Sequence, residues 1–102
     1  MSWLWTWKGK SFGYRRGNEL RLQNGMHIGT FIGDEIYGID GKYLGEVRNE
    51  SRLIVRKASK GKSGPKVSRK MKLVAQVGRV NMIGLVGLVG YEDFPSPETF
   101  IA

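Results

Sequence analysis

A chain of 102 residues with 40% apolar, 11% aromatic and 25% charged side chains is sized and composed for one small globular domain, which excludes a disordered tail and a multidomain enzyme. So short a domain buries only about two-thirds of its unfolded surface, so its core must be compact or shared between subunits. The formal net charge of +8 points to an acidic partner, and the absence of cysteine excludes a disulfide staple and thiolate chemistry.

The opening residues, MSWLWTWKGK, carry no basic region ahead of an apolar stretch and match a secretory signal poorly. The longest apolar run, Met82 to Tyr91, has ten residues, against the roughly 20 that a membrane helix needs. The expectation is a soluble, cytoplasmic protein with no membrane segment.

Residues 1–56 repeat with a period of 16. ELRLQNGMHIGTF from Glu19 aligns with EIYGIDGKYLGEV from Glu35, and the same frame moved back takes in WLWTWKGKSFGYR from Trp3. Each copy is an alternating strand, a Lys-Gly, Asn-Gly or Asp-Gly pair, and a second strand. Such pairs favour two-residue type I′ hairpin turns. Between copies lie Gly17-Asn18, Gly33-Asp34 and Asn49-Glu50, also turn-prone. Two-residue turns would pair Leu4 with Gly13, Leu20 with Gly29, and Ile36 with Gly45, an aliphatic facing a glycine each time, as close backbone approach at a crowded inner rim requires. The same register pairs Trp5 with Phe12, Arg21 with Ile28, and Tyr37 with Leu44. The fourth copy is degenerate: it keeps the apolar strand Leu53 to Val55 but loses the turn glycine, and its return strand is not evident. The fold class is therefore all-β, a meander of 16-residue hairpins arranged radially.

The stretch from Gly9 to Lys57, with Gly-Lys-x-x-Gly-Tyr at Gly9 to Tyr14 and Tyr37, Gly38, Asp40, Gly41, Leu44 and Gly45, resembles the four-fold β-flower family. These are small bacterial domains whose hairpins stand like petals about a pseudo-four-fold axis. The resemblance covers roughly residues 3 to 57. It implies that arrangement and brings no activity with it.

Charge is concentrated next. Nine of the 17 basic residues lie between Arg52 and Lys72 with no acid among them: Arg52, Arg56, Lys57, Lys60, Lys62, Lys66, Arg69, Lys70 and Lys72. The remaining eight face nine acids, so the rest of the chain is nearly neutral. Residues 57–72, rich in Lys, Ser and Gly, read as a flexible basic loop. As a binding segment it would contact nucleic acid through phosphates without reading sequence. As a plain solvated loop it needs no partner.

From Leu73 a β-branched residue recurs every third position, at Val74, Val77, Val80, Ile83, Val86 and Val89, each followed by a small or turn-prone residue. Period three fits neither an α-helix nor a strand. It fits a left-handed extended helix of three residues per turn, with irregular strands as the alternative. The β-flower resemblance adds that similar proteins carry a short-period Gly/Pro tail. Residues 73–102 are thus expected as an extended tail, packed on the same domain or on other subunits of a homo-oligomer. The terminus YEDFPSPETFIA would dock on a neighbour or hang free.

Candidate chemistry is thin. His27 is a lone imidazole without a nucleophile or second ligand. Asp34, Glu35, Asp40 and Glu46 could form a carboxylate or metal site, but Asp34 and Asp40 sit where turns favour Asp. LIVRKASKGKSG has Arg56 where a phosphate loop needs glycine. Trp3, Trp5 and Trp7 alternate, which puts three rings on one face as an interface cover or as a platform for stacking. The reading is a non-enzymatic module with no catalytic residue, metal or cofactor. Its interface candidates are Trp3, Trp5, Trp7 and the six period-three aliphatics.

Overall fold

The three aliphatic–glycine pairs expected from the repeat are present: Leu4 faces Gly13, Leu20 faces Gly29, and Ile36 faces Gly45. They lie in a computed structural model that describes residues 1–101; Ala102, the last residue of the expected tail, lies outside the described residues. One eight-stranded sheet runs in chain order through β1 (Ser2–Thr6), β2 (Ser11–Arg16), β3 (Glu19–Leu22), β4 (His27–Ile32), β5 (Glu35–Gly38), β6 (Tyr43–Arg48), β7 (Arg52–Arg56) and β8 (Tyr91–Asp93). Sequential neighbours are antiparallel. β1 also pairs in parallel with β7, through Trp5 with Arg52 and Thr6 with Leu53, so the first seven strands close into a barrel-like ring. Closure removes the exposed strand edges that short hairpins otherwise present. Single 3-10 turns occupy Lys57–Ser59 and Pro97–Phe100, and no α-helix occurs among the described residues.

The hairpin loops differ from the expected type I′ turns. Each has three residues, Trp7–Gly9, Gln23–Gly25 and Ile39–Gly41. Only the glycine adopts positive φ, at +97°, +88° and +83°. Asn24 and Asp40 instead act through their side chains: Asn24 Oδ1 accepts from Met26 N at 2.9 Å and Asp40 Oδ1 from Lys42 N at 3.0 Å. This is a turn closed by a left-handed glycine. The extra loop residue is absorbed by a β-bulge two pairs further on, so Trp5 faces Ser11, Arg21 faces His27, and Tyr37 faces Tyr43. The expected pairs with Phe12, Ile28 and Leu44 are thereby replaced. These three are the unpaired bulge residues, and Phe12 and Ile28 turn into the core.

Leu4, Leu20, Ile36 and Leu53 are each at most 1% exposed and occupy equivalent positions on the four first strands. The glycines beside them are required by space. A Cβ on Gly13, Gly29 or Gly45 would meet the carbonyl oxygen of Arg21, Tyr37 or Ile54 on the next hairpin.

The return strand of the fourth unit comes from far along the chain. β8 pairs with β7 through Ile54 with Asp93, Val55 with Glu92, and Arg56 with Tyr91. The Lys/Ser/Gly stretch after β7 has no large apolar side chain before Val67 with which to complete the hairpin, whereas Tyr91 to Phe94 has two aromatic rings. Phe94 follows directly, with its ring 5.2 Å from that of Phe12, and Phe100 stacks on Phe94 at 6.2 Å. The terminus is therefore folded onto the chain's own ring, the first of the two placements expected for residues 73–102, because burying Phe94 is worth about 1.5–3 kcal/mol and the half-buried Phe100 adds to it.

Gly9→Ala is expected to cost about 3 kcal/mol or more, since it combines a left-handed backbone with a Cβ driven into the Met82 carbonyl. Gly17→Ala has a similar backbone need, φ +60°, but open space around it, so about 1 kcal/mol is expected. Urea unfolding of the two variants measures the difference; equal costs would mean that residue 82 does not lie against the loop.

Candidate functional site

Residues 62–90 contain neither helix nor strand, yet they follow the ring closely. They run back over the three hairpin loops in reverse order as a strap. Gly64 N donates to Gly41 O (2.7 Å), Leu73 N to Gly25 O (3.1 Å) and Met82 N to Gly9 O (2.7 Å). Val67, Gln76 and Leu85 donate in the same way to Ile39, Gln23 and Trp7 at 3.4, 2.8 and 3.0 Å. Both series advance nine residues along the strap for every 16 along the ring. Between them Lys70 N donates to His27 Nδ1 at 2.9 Å, and Arg79 lays its guanidinium 4.9 Å over the Trp3 ring. Every third residue of the strap thus turns toward the ring, which satisfies backbone donors that an irregular segment would otherwise leave to water.

Ring side chains complete the attachment by donating to strap carbonyls. The indole N–H of Trp5 reaches Val80 O and that of Trp7 reaches Val86 O, both at 2.8 Å. Arg21 Nη1 reaches Met71 O and Arg52 Nη2 reaches Ile83 O, both at 2.9 Å. Trp3, Trp5 and Trp7 therefore all engage the chain's own strap. Trp7 stands outside β1, as the first residue of its loop, and is buried.

The opposite side of the strap is apolar and bare. Met71, Val74, Val77, Val80, Ile83, Val86 and Val89, again every third residue, are 82% to 102% exposed. Seven such side chains on one strap are more than the singly scattered apolar residues of an ordinary protein surface. Two of the glycines between them are imposed by the ring: a Cβ on Gly78 would strike the Gln23 side chain, and one on Gly84 the Lys8 carbonyl.

The basic residues divide. Arg52 is buried and bonded to Trp7 O (3.2 Å) as well as to Ile83 O. Lys60 pairs with Glu92, and Lys62 pairs with Glu35 at 2.6 Å. The Lys62 hydrogen bond holds the Glu35 carboxyl below its ordinary pKa, and the same bond raises that of Lys62. Arg56, Lys57, Lys66, Arg69, Lys70 and Lys72 are exposed.

Comparison of the chain with protein-family models, curated proteins and solved structures finds no match. Inference about function therefore rests on geometry.

Of the candidate acids, Asp34, Glu35 and Glu46 line one open cleft of about 670 Å³ together with Arg48 and Arg56, while Asp40 belongs to its own turn on another loop. Among the described residues no group of three or more His, Cys, Asp or Glu could hold a metal ion. No helix among them is long and apolar enough to cross a membrane.

One cluster escaped sequence reasoning. Arg21, 2% exposed, bonds Glu19 through Nε (2.8 Å) and pairs with it through Nη2 (2.7 Å), while Nη1 holds Gly25 O (2.7 Å) and the strap at Met71 O. Beside it His27, 1% exposed, accepts the Lys70 N–H, and its Nε2 is buried without a partner. Burial pushes the His27 pKa below 6.5; the Gly29 backbone and Glu19 oppose this, and Arg21 and Arg69 reinforce it. No sequence signal marks this cluster, since His27 and Lys70 stand 43 residues apart and meet only where the strap crosses the ring.

Because the folded His27 pKa lies below the unfolded value, its contribution to stability is whole above pH 6.5. It declines as pH falls below that value and through the folded pKa, by at most about 1.4 kcal/mol per pH unit. Protonated Nδ1 would become a donor facing the Lys70 donor. Denaturant melts at pH 7.5 and 5.5 should show this loss, and His27→Gln, which keeps an acceptor but does not titrate, should abolish it. A slope that persists in the variant would assign it to other groups.

Proposed function

We propose that this chain is a non-enzymatic binding or scaffold module that works in the cytoplasm as a homo-oligomer, with the strap as its contact surface. The observation that carries the reading is the seven-residue apolar stripe, held outward by a strap whose other side is bonded to the ring. Nothing in the chain's own fold uses those side chains, and leaving them in water forgoes burial worth about 1.5–3 kcal/mol each. The ring is read as a pseudo-four-fold β-flower, a proposal supported by the equivalent Leu4, Leu20, Ile36 and Leu53 and by the 16-residue recurrence of loops and bulges. The strap is read as a left-handed extended helix of three residues per turn. Its donors and its exposed aliphatics both recur every third residue, as that geometry requires.

A second reading, non-specific nucleic-acid binding, is favoured by the six exposed cations Arg56, Lys57, Lys66, Arg69, Lys70 and Lys72. In this reading phosphates would neutralise them and release counterions.

Replacing Val74, Val77, Ile83 and Val86 together by Ser is expected to lower the mass measured by light scattering and, at dilutions where both proteins are monomeric, to leave the thermal melt unchanged, since these side chains do not pack on the ring. An unchanged mass would overturn the oligomer reading. For the second reading, polarisation of a labelled oligonucleotide should give log K against log salt with a slope of about −0.7 to −0.9 per phosphate contacted. Absence of binding at low salt would remove it.

A further inference from the structure

Gly87 has no role in its own chain. Fourteen of the 15 glycines either adopt a left-handed φ or sit where a Cβ would press on a neighbouring atom within 4 Å. Gly87 does neither: its φ lies outside the left-handed range, and a Cβ there would meet nothing. A glycine in an extended segment costs conformational entropy, and its remaining use is to let another backbone come close. That approach has to come from outside the chain.

Its surroundings indicate what approaches. Gly87 lies on the last arc of the strap, where Ile83, Val86 and Val89 are 86%, 87% and 102% exposed and no charged residue occurs between Val80 and Tyr91. It also borders a hollow of about 260 Å³ whose apolar wall is Trp7, Ile54, Leu85 and Leu88, with Lys8 and Glu92 on its lining. A bare knob, Val89, therefore stands two residues from a glycine-floored hollow.

We infer that a second copy of this chain docks on the Ile83–Val89 arc about a two-fold axis near Leu88, each copy inserting Val89 into the partner's hollow across Gly87. This deepens the oligomer reading above and rests on it. A knob and a hollow side by side on one surface are satisfied reciprocally by a two-fold operation, which is the self-complementarity of an isologous interface. The same operation brings Lys8 of one copy toward Glu92 of the other, which already pairs with Lys60 of its own chain, and the arc itself carries no charged residue. Met82, Ile83, Val86, Leu88 and Val89 expose about 600 Å² per copy, so two copies bury at most roughly 1,200 Å² through them, the range of a weak dimer. The basic stretch Arg69 to Lys72 lies on the first arc of the strap, away from the contact, where like charges of the two copies are kept apart.

The test uses the full chain. Sedimentation at about 100 μM is expected to give at least twice the chain mass for the wild type and the single-chain mass for Gly87→Val, with matching thermal melts at dilutions where both are monomeric, because the new side chain meets nothing intramolecular. Val89→Ser, which cannot strain the backbone, should weaken self-association at least tenfold. The chain has no cysteine, so Leu88→Cys, beside the axis, supplies a single thiol. It should form a disulfide-linked dimer under copper-phenanthroline oxidation, while Val74→Cys on the middle arc should not. If Gly87→Val and Val89→Ser keep the wild-type mass while Val74→Ser with Val77→Ser lowers it, this assignment is overturned and the oligomer reading stands. A wild type that stays monomeric, including one that instead sediments with anionic vesicles, overturns both.

Discussion

Two lengths match in this molecule, and the arrangement outside the hairpins depends on the match. One step around the ring takes 16 residues of hairpin, and the same step along the strap takes nine. Nine residues of extended chain at about 3.1 Å per residue span at most about 28 Å, within the 37 × 32 × 24 Å extents of the body. Because nine is a multiple of three, the same face of the strap meets each successive loop. The exposed stripe follows from that commensurability: a period that did not divide nine would rotate the valines inward at one loop and outward at the next.

The loop geometry makes the match usable. A three-residue loop ending in a left-handed glycine leaves no Cβ at the point where the strap crosses, so the carbonyls of Gly64, Leu73 and Met82 lie directly over Gly41, Gly25 and Gly9. The polar cost of laying an irregular chain on a ring is then met from both sides. Strap donors find loop acceptors, and the buried Arg21, Arg52 and Trp7, with the half-buried Trp5, supply donors to strap carbonyls. Arg21 is the most committed of these, since its burial is tolerable only because Glu19 and two carbonyls share its charge. The basic segment looked like one surface in the sequence. In the fold one of its cations is structural, two are paired, and the exposed six are left for any acidic partner.

What the residues alone disclosed was local and periodic. The 16-residue recurrence placed the strands and three of the cross-strand pairs, because a hydrophobic pattern of period two and a turn glycine act within a dozen residues. The period of three in the tail was equally visible, as was its assignment of valines and glycines to different faces. The turn type was misread for a physical reason: Asn-Gly and Asp-Gly serve both a two-residue loop and a three-residue loop with a side-chain acceptor, and the bulge that follows each loop decides between them.

Tertiary structure alone decided where the long-range partners lie. No local pattern says that Tyr91 to Asp93 completes the hairpin begun at Arg52, that Phe94 and Phe100 cover the ring, or that His27 receives the Lys70 N–H. These pairings join segments tens of residues apart, and they depend on which donors, acceptors and apolar surfaces remain unsatisfied once the ring has closed. The sequence therefore determined the repeating units and the two periods. Only the closed fold determined how they mesh, because the ratio of nine to 16 acquires meaning when the strap is laid against the loops in space.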